Sequence, residues 1–289
     1  MAGTTAASQK ARPRRRRSAR RGGRGKTVIG IVLTAIMLFP VYWMINVSLT
    51  PTSRMRKSPP DLVPTHATFD GYRTVLHEQL PYLATSLGIG VGTVILTLLI
   101  AAPAAFALAR LRPRGRGVIN FVLLIAQMIP GIIMALGFYS IFISSKIINH
   151  WWGLILADST IAVPFGVLIL TAFMSAVPDE LVQAATIDGA SLMRVFRSIV
   201  LPVSRNGVVT VALFAFLWAW SDFVFATTLD SGGTYRPITL GIYKYIGNNN
   251  QEWNAIMATA VVASVPAAVL LVLAQRYVAA GVTAGAVKD

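Results

Sequence analysis

Apolar residues in this chain gather in long blocks instead of alternating with polar ones. The blocks run over about 28–49, 82–109, 118–145, 152–177, 206–229 and 254–275. Each reaches the roughly 20 residues needed to cross a bilayer core of about 30 Å. A segment that is hydrophobic on every side is a membrane span or a deep core helix, not a surface helix. The second and third blocks are long enough to tilt or to extend beyond the membrane. The pattern predicts an all-α integral membrane protein with six transmembrane helices. Gln127, Pro130 and Gly131 interrupt the third block, and a break at membrane depth is tolerable only where protein or a watery cavity covers it. That stretch is therefore expected inside the bundle.

Composition supports the same class. A mean hydropathy of +0.63 with 13% charged residues falls well below the roughly one quarter of charged residues in soluble domains. The absence of cysteine excludes disulfides, thiolate nucleophiles and Cys-ligated metal sites. His66, His77 and His150 fall in separate outer loops without the spacing of a metal site. No combination of Ser, His and acid converges, so the sequence contains no recognisable active site.

The net charge of +15 is unevenly placed. Ten of the 26 basic residues precede residue 28, and the remainder has 16 basic and 11 acidic residues, a net of +5. Residues 1–27 have too little bulky apolar surface to fold alone and are expected to form a disordered basic tail next to anionic lipid. No aromatic residues are interleaved there, which argues against nucleic acid. Gly25-Lys26-Thr27 imitates the end of a phosphate-binding loop, but Arg20 stands where its first glycine is required. The first apolar block lacks a small-residue cleavage site and reads as an uncleaved anchor. Arg110, Arg112, Arg114 and Arg116 crowd the loop between the second and third spans, so that loop and both termini are expected on the cytoplasmic side. Trp151, Trp152 and Trp253 suit the outer interface.

The longest inner loop, 178–205, has the most informative pattern. Pro178, Asp179 and Glu180 suit the first turn of a helix. Leu181, Ala184 and Ala185 share a face, and Gly189 is placed to end the helix in a left-handed conformation. Leu192, Val195, Phe196 and Ile199 then form the apolar stripe of a second short helix, and Pro202 starts the fifth span. A short helix with a small-residue face suits either a groove on another protein or the lipid surface. The spacing Gln183-Ala184-Ala185, Gly189, Ile199-x-Leu201-Pro202 resembles the EAA loop of ABC importer permeases. Ile187-Asp188-Gly189-Ala190-Ser191, Trp220-Ser221-Asp222-Phe223 and the terminal Gly281-Val282-Thr283-Ala284-Gly285-Ala286-Val287-Lys288 extend the resemblance to carbohydrate permeases of the MalG type, over residues 28–288.

That resemblance implies a type I ABC importer permease fold over 28–289, with 178–205 as its coupling loop. The chain would be a transport subunit and not an enzyme. It would need no cofactor of its own, because ATP is bound by partner subunits. The implied partners are a second permease, a cytoplasmic ATPase dimer, an extracytoplasmic sugar-binding protein and a sugar. Glu180, Gln183, Ala184, Ala185, Asp188, Gly189, Leu201 and Pro202 would couple to the ATPase. Gln183 replaces the family's usual Glu and removes a carboxylate, with Glu180 one turn earlier as a substitute. The short loops fit this reading, since neither side has room for a solute-binding domain or an ATPase.

Polar residues within spans mark pathways or inter-helix bonds. The candidates for a translocation path are Asn46, Gln127, Asp158, Trp218, Trp220 and Asp222. Aromatic faces beside hydrogen-bonding groups around Trp218 to Asp222 suit a sugar ring. Asp158 reads equally well as the N-cap of the main part of span four. The alternative function is a self-sufficient, ion-coupled secondary transporter, which would show two related halves with paired interrupted spans.

Overall fold

The computed structural model describes residues 23–55, 57–246 and 252–286, with side chains between Gly25 and Tyr277. The proposed tail up to residue 22, and the end of the carboxyl-terminal signature at Val287-Lys288, lie outside the described residues. Two compact units meet at residues 43 and 44. The first holds most of α1 (Gly23–Ser48). This helix begins within the stretch that composition assigns to the tail, and the rings of Phe39 and Trp43 stack in it at 6.1 Å.

The second unit continues through α2 (Asp70–Glu78), α3 (Leu80–Phe106), a π turn at Ala107–Leu111, α4 (Arg116–Ala126), α5 (Gly131–Ser144) and α6 (Trp151–Ser175). Next come α7 (Asp179–Ile187), α8 (Leu192–Val195), a second π turn at Phe196–Val200, and α9 (Leu201–Val203). The chain closes with α10 (Arg205–Ser221), α11 (Val224–Leu229), α12 (Ile238–Gly241) and α13 (Trp253–Ala286). Among the described residues, four helical stretches are long and apolar enough to cross a membrane: Gly25–Ser48, Leu80–Leu111, Trp151–Ser175 and Trp253–Tyr277. Counting each of the bent pairs Arg116–Ala126 with Gly131–Ser144 (93°) and Leu192–Val203 with Arg205–Ser221 (78°) as one broken span brings the number up to six.

The first bend falls where the sequence places it. Pro130 is extended (φ −60°, ψ 131°) and its carbonyl accepts the first N–H groups of α5 from Ile133 and Met134 at 3.0 and 3.2 Å. The fifth span starts where its apolar block does but ends early, and Pro202 lies before it. Pro202 belongs to α9, and the spanning helix starts only at Arg205. That helix stops at Ser221 instead of running to 229, because Asp222 turns extended (ψ 132°) and its carboxylate captures the N–H groups of Phe225 and Ala226 at 3.1 and 2.9 Å. A side chain that offers the backbone another acceptor ends a helix whose apolar pattern would continue.

The core forms where α3, α6 and α10 meet. Ser86, Ile89, Thr93, Thr97, Ala101 and Ala105 are buried along one face of α3, at the three-to-four spacing of a helical stripe. Small residues on this stripe let backbones approach closely, the usual source of helix packing in lipid. Gly166 of α6 sits at the junction: a Cβ there would lie 2.9 Å from Val211 of α10 and 3.1 Å from Ala101 of α3. Gly166→Leu should lower the stability of the bundle by about 1–3 kcal/mol or more through overpacking, and Gly166→Ala less. Thermal unfolding of the purified membrane protein measures the difference.

Candidate functional site

The loop segments gather at two opposite ends of the bundle. At one end Arg110, at the close of α3, reaches the segment between α6 and α7. At the other, Gln79 donates to the carbonyl of Gly241 at 3.1 Å, and the Asn149 side chain accepts the N–H of Gly232 at 2.8 Å.

The first end carries the loop singled out by spacing. Pro178 (φ −57°, ψ 135°) precedes α7, and Asp179 and Glu180 fill its first turn. Gly189 ends the helix at φ 79°, a conformation that costs a side-chain-bearing residue roughly 1–2 kcal/mol. The N–H of Ala190 bonds the carbonyl of Ala185 at 2.9 Å and that of Gly189 bonds Thr186 at 3.0 Å. These paired bonds satisfy carbonyls that the helix end would otherwise leave bare. The Ser191 hydroxyl accepts the Arg194 N–H at 3.4 Å and caps α8.

Two faces of α7 do different jobs. Val182 and Ala185 pack on a core cluster that includes Val195 and Val200. Glu180, Gln183, Ala184, Asp188 and Gly189 are exposed, together with Leu181, Ile187 (86%), Leu192 (61%) and Met193. The stripe expected after Ser191 is shifted. Leu192 is exposed, and Val200 is fully buried because the π turn at Phe196–Val200 inserts one extra residue after Val195. Phe196 packs on Phe106 of α3 with ring centroids 5.1 Å apart. Leu201 is half-buried and Pro202 exposed in the turn leading to α10.

Arg110 joins these parts, a role that sequence spacing does not show. Its guanidinium is 6% exposed and pairs with Asp179. It also donates to the carbonyl of Met174 at 2.6 Å and to that of Val177. Arg112 adds a contact of 3.7 Å to Asp179. The last carbonyls of α6 thus find donors, and the first turn of α7 is tied to the end of α3. A fork with several N–H donors suits such a junction, and charge-assisted bonds are the stronger kind. The visible signal in the sequence is an arginine abutting an apolar span and an acidic helix start in the next loop on the same side.

Of the path candidates, Asp158 and Asp222 come near enough to interact through their charges, and the others are engaged separately. Asn46 lies near the carboxyl-terminal end of α1, where its side chain donates to the Asp61 carbonyl at 3.0 Å. Gln127 caps α4 and donates to the Ile161 carbonyl at 2.9 Å. Asp158 is 1% exposed and lies well inside α6, which begins at Trp151, so it is not the helix cap. One of its carboxylate oxygens has no hydrogen-bond partner among the described residues. Trp220 is buried and donates to the Ala263 carbonyl of α13 at 3.0 Å. Trp218 stacks on Phe214, which stacks on Phe165 at 3.7 Å. Asp222 caps α11.

Comparison with known proteins agrees with this architecture. Residues 97–284 match the family described as binding-protein-dependent transport system inner membrane component. The trehalose transport system permease protein SugB of Mycobacterium tuberculosis is 32% identical over 265 residues, covering 90% of this chain and 96% of that protein. The diacetylchitobiose uptake system permease protein DasC of Streptomyces coelicolor is 31% identical over 263 residues, covering 90% of this chain and 95% of that protein. A chain of the crystal structure of a bacterial ABC transporter involved in the import of the acidic polysaccharide alginate shares the fold, with a TM-score of 0.77 at 18% identity, covering 90% of this chain and 99% of that one. The match sets aside an ion-coupled carrier complete in itself. The chain belongs to the binding-protein-dependent transport system inner membrane components: it is a multi-pass permease subunit of an ABC importer, in which ATP hydrolysis falls to a separate subunit.

Proposed function

We propose that this permease imports a sugar or oligosaccharide, forms one half of a heterodimeric pore, and receives the ATPase stroke through the exposed face of α7. The relatives named for trehalose and diacetylchitobiose support the substrate class. The observation that carries the coupling role is the construction of α7: it is short, tied at its start by Arg110 and closed at its end by Gly189, and it exposes Ala184 and Gln183.

The arginine-rich loop and α7 lie at one end of the bundle, and the positive-inside bias assigns that end to the cytoplasm together with both termini. A binding protein delivers the sugar at the opposite end. Closure of the ATPase dimer moves α7, and the bundle alternates between outward and inward access as rigid parts. Glu180 and Gln183 share the exposed face one turn apart and offer hydrogen-bond acceptors to a basic ATPase surface. The side chains of Asp188, Leu201 and Pro202 frame the turns on either side of the second short helix.

Three outcomes test this reading. Ala184→Trp and Gly189→Val should abolish ATPase docking and lower ATP-dependent sugar uptake by about tenfold or more, since even a 1.4 kcal/mol loss is a factor of ten; unchanged uptake would overturn the role of α7. Gln183→Glu should tighten ATPase docking several-fold, because a charge-assisted bond is about twice as strong as a neutral one; pull-down of the ATPase with reconstituted permease measures it. Arg110→Met and Asp179→Asn should each weaken coupling of ATP hydrolysis to uptake, and the double variant should be little worse than Arg110→Met alone. Additive losses would show that the pair does not act as a unit.

A further inference from the structure

At the end opposite α7, just beyond the break in the fifth span, the chain encloses a concavity of about 370 Å³. Its wall carries Phe223, Thr227, Ser231, Arg236 and Tyr243, with Asp230 beneath. Small-ligand pockets begin near 300 Å³, so the space admits one or two sugar rings.

The walls are built before any ligand arrives. The Asp230 carboxylate accepts the N–H groups of Thr234 and Tyr235 at 3.2 and 3.1 Å and fixes the turn. Asn149, from the loop before α6, accepts the Gly232 N–H at 2.8 Å, and its own N–H bonds the Leu229 carbonyl at 2.9 Å. The pocket rim is thereby stapled to a second loop. Gly233 takes φ 68°, and a Cβ there would lie 2.6 Å from the Arg236 Nε, so the guanidinium rests directly against bare backbone. Among the described residues Arg236 makes no hydrogen bond and no ion pair, and its donors remain unused.

Beside it, Phe223 and Tyr243 stack at 5.1 Å and 23°, and Tyr243 is 54% exposed. An aromatic face, unused guanidinium donors and the Thr227 and Ser231 hydroxyls are complementary to the apolar face and hydroxyl rim of a pyranose. Asp230 and Arg236 balance in charge, which favours a neutral ring over an acidic one. Phe223 adjoins Asp222, whose carboxylate caps α11 and whose carbonyl accepts the Thr239 hydroxyl at 2.7 Å.

We propose that this concavity is a binding site for a neutral saccharide, with the ring stacked on the Phe223–Tyr243 pair and its hydroxyl oxygens held by Arg236. The inference rests on the sugar-import reading above and adds a place where this subunit itself touches the sugar.

The test uses the complete importer in nanodiscs, without its binding protein, and photoactivatable diazirine derivatives of trehalose and maltose as probes. Label should map to the segment from Phe223 to Tyr243. It should fall about tenfold or more with excess unlabelled sugar and with Arg236→Gln or Tyr243→Ala, and persist in Tyr243→Trp, as expected where one aromatic contact and one guanidinium carry the binding energy. Label confined to other segments, or unmoved by competitor and variants, overturns the site. A loss of affinity for the sugar-free binding protein in the same variants, with labelling unchanged, would make the pocket a receptor socket and also overturns it. ATP-dependent uptake of the same sugars by the wild-type importer with its binding protein is the separate arm. Uptake without specific labelling refutes the pocket alone, and absence of uptake across the sugar panel refutes the sugar reading on which it rests.

Discussion

In hydrocarbon a helix that breaks must find partners for the backbone groups it frees, because no water will take them. The places where this chain departs from straight spans are the places where its polar side chains lie. Asp222 receives two N–H groups where α10 stops. Gln127, where α4 gives way to the bend before α5, donates to the Ile161 carbonyl of α6. Arg110 collects two carbonyls at the end of α6. The tight junction of α3, α6 and α10 around Gly166 supplies the rigid frame on which these repairs depend.

The same rule organises the end that carries α7. A guanidinium that serves carbonyls at a helix end can also take a carboxylate, and Asp179 occupies that position. The stabilisation of the α6 terminus and the placement of α7 are therefore one arrangement. The helix cap at Gly189 completes it without a polar side chain, which leaves Glu180 and Gln183 exposed beside Ala184 on the outer face of α7. Val182 and Ala185 hold the inner face to the core.

Much of this was legible in the chain. Of the six apolar blocks four form spanning helices and two form bent pairs, Pro130 gives the bend in the third, and Gly189 gives the left-handed end of α7. What escaped depends on contacts distant in sequence or on register. The break at Asp222 interrupts an apolar run and reveals itself only when the carboxylate is seen to reach Phe225 and Ala226. The π turn at Phe196–Val200 brings Val200 into the core, and an ideal period of 3.6 has no means of showing an inserted residue. Arg110 looks like one of four loop arginines, and only its burial separates it from the others. Trp220 pointed to a sugar-facing aromatic, yet its indole is spent on the Ala263 carbonyl.

The Arg110 cluster also fixes the kinematics of the α7 end. A proline turn such as Pro178 ordinarily leaves the helix after it free to swivel about the helix before it. Here the guanidinium spans that joint and holds Met174, Val177 and Asp179 to the end of α3. The joint between α6 and α7 is locked, and the remaining articulations of the segment lie downstream, at Gly189 and at the 78° bend before α10. A push on α7 is delivered first to two spanning helices together, with few degrees of freedom in which to be lost.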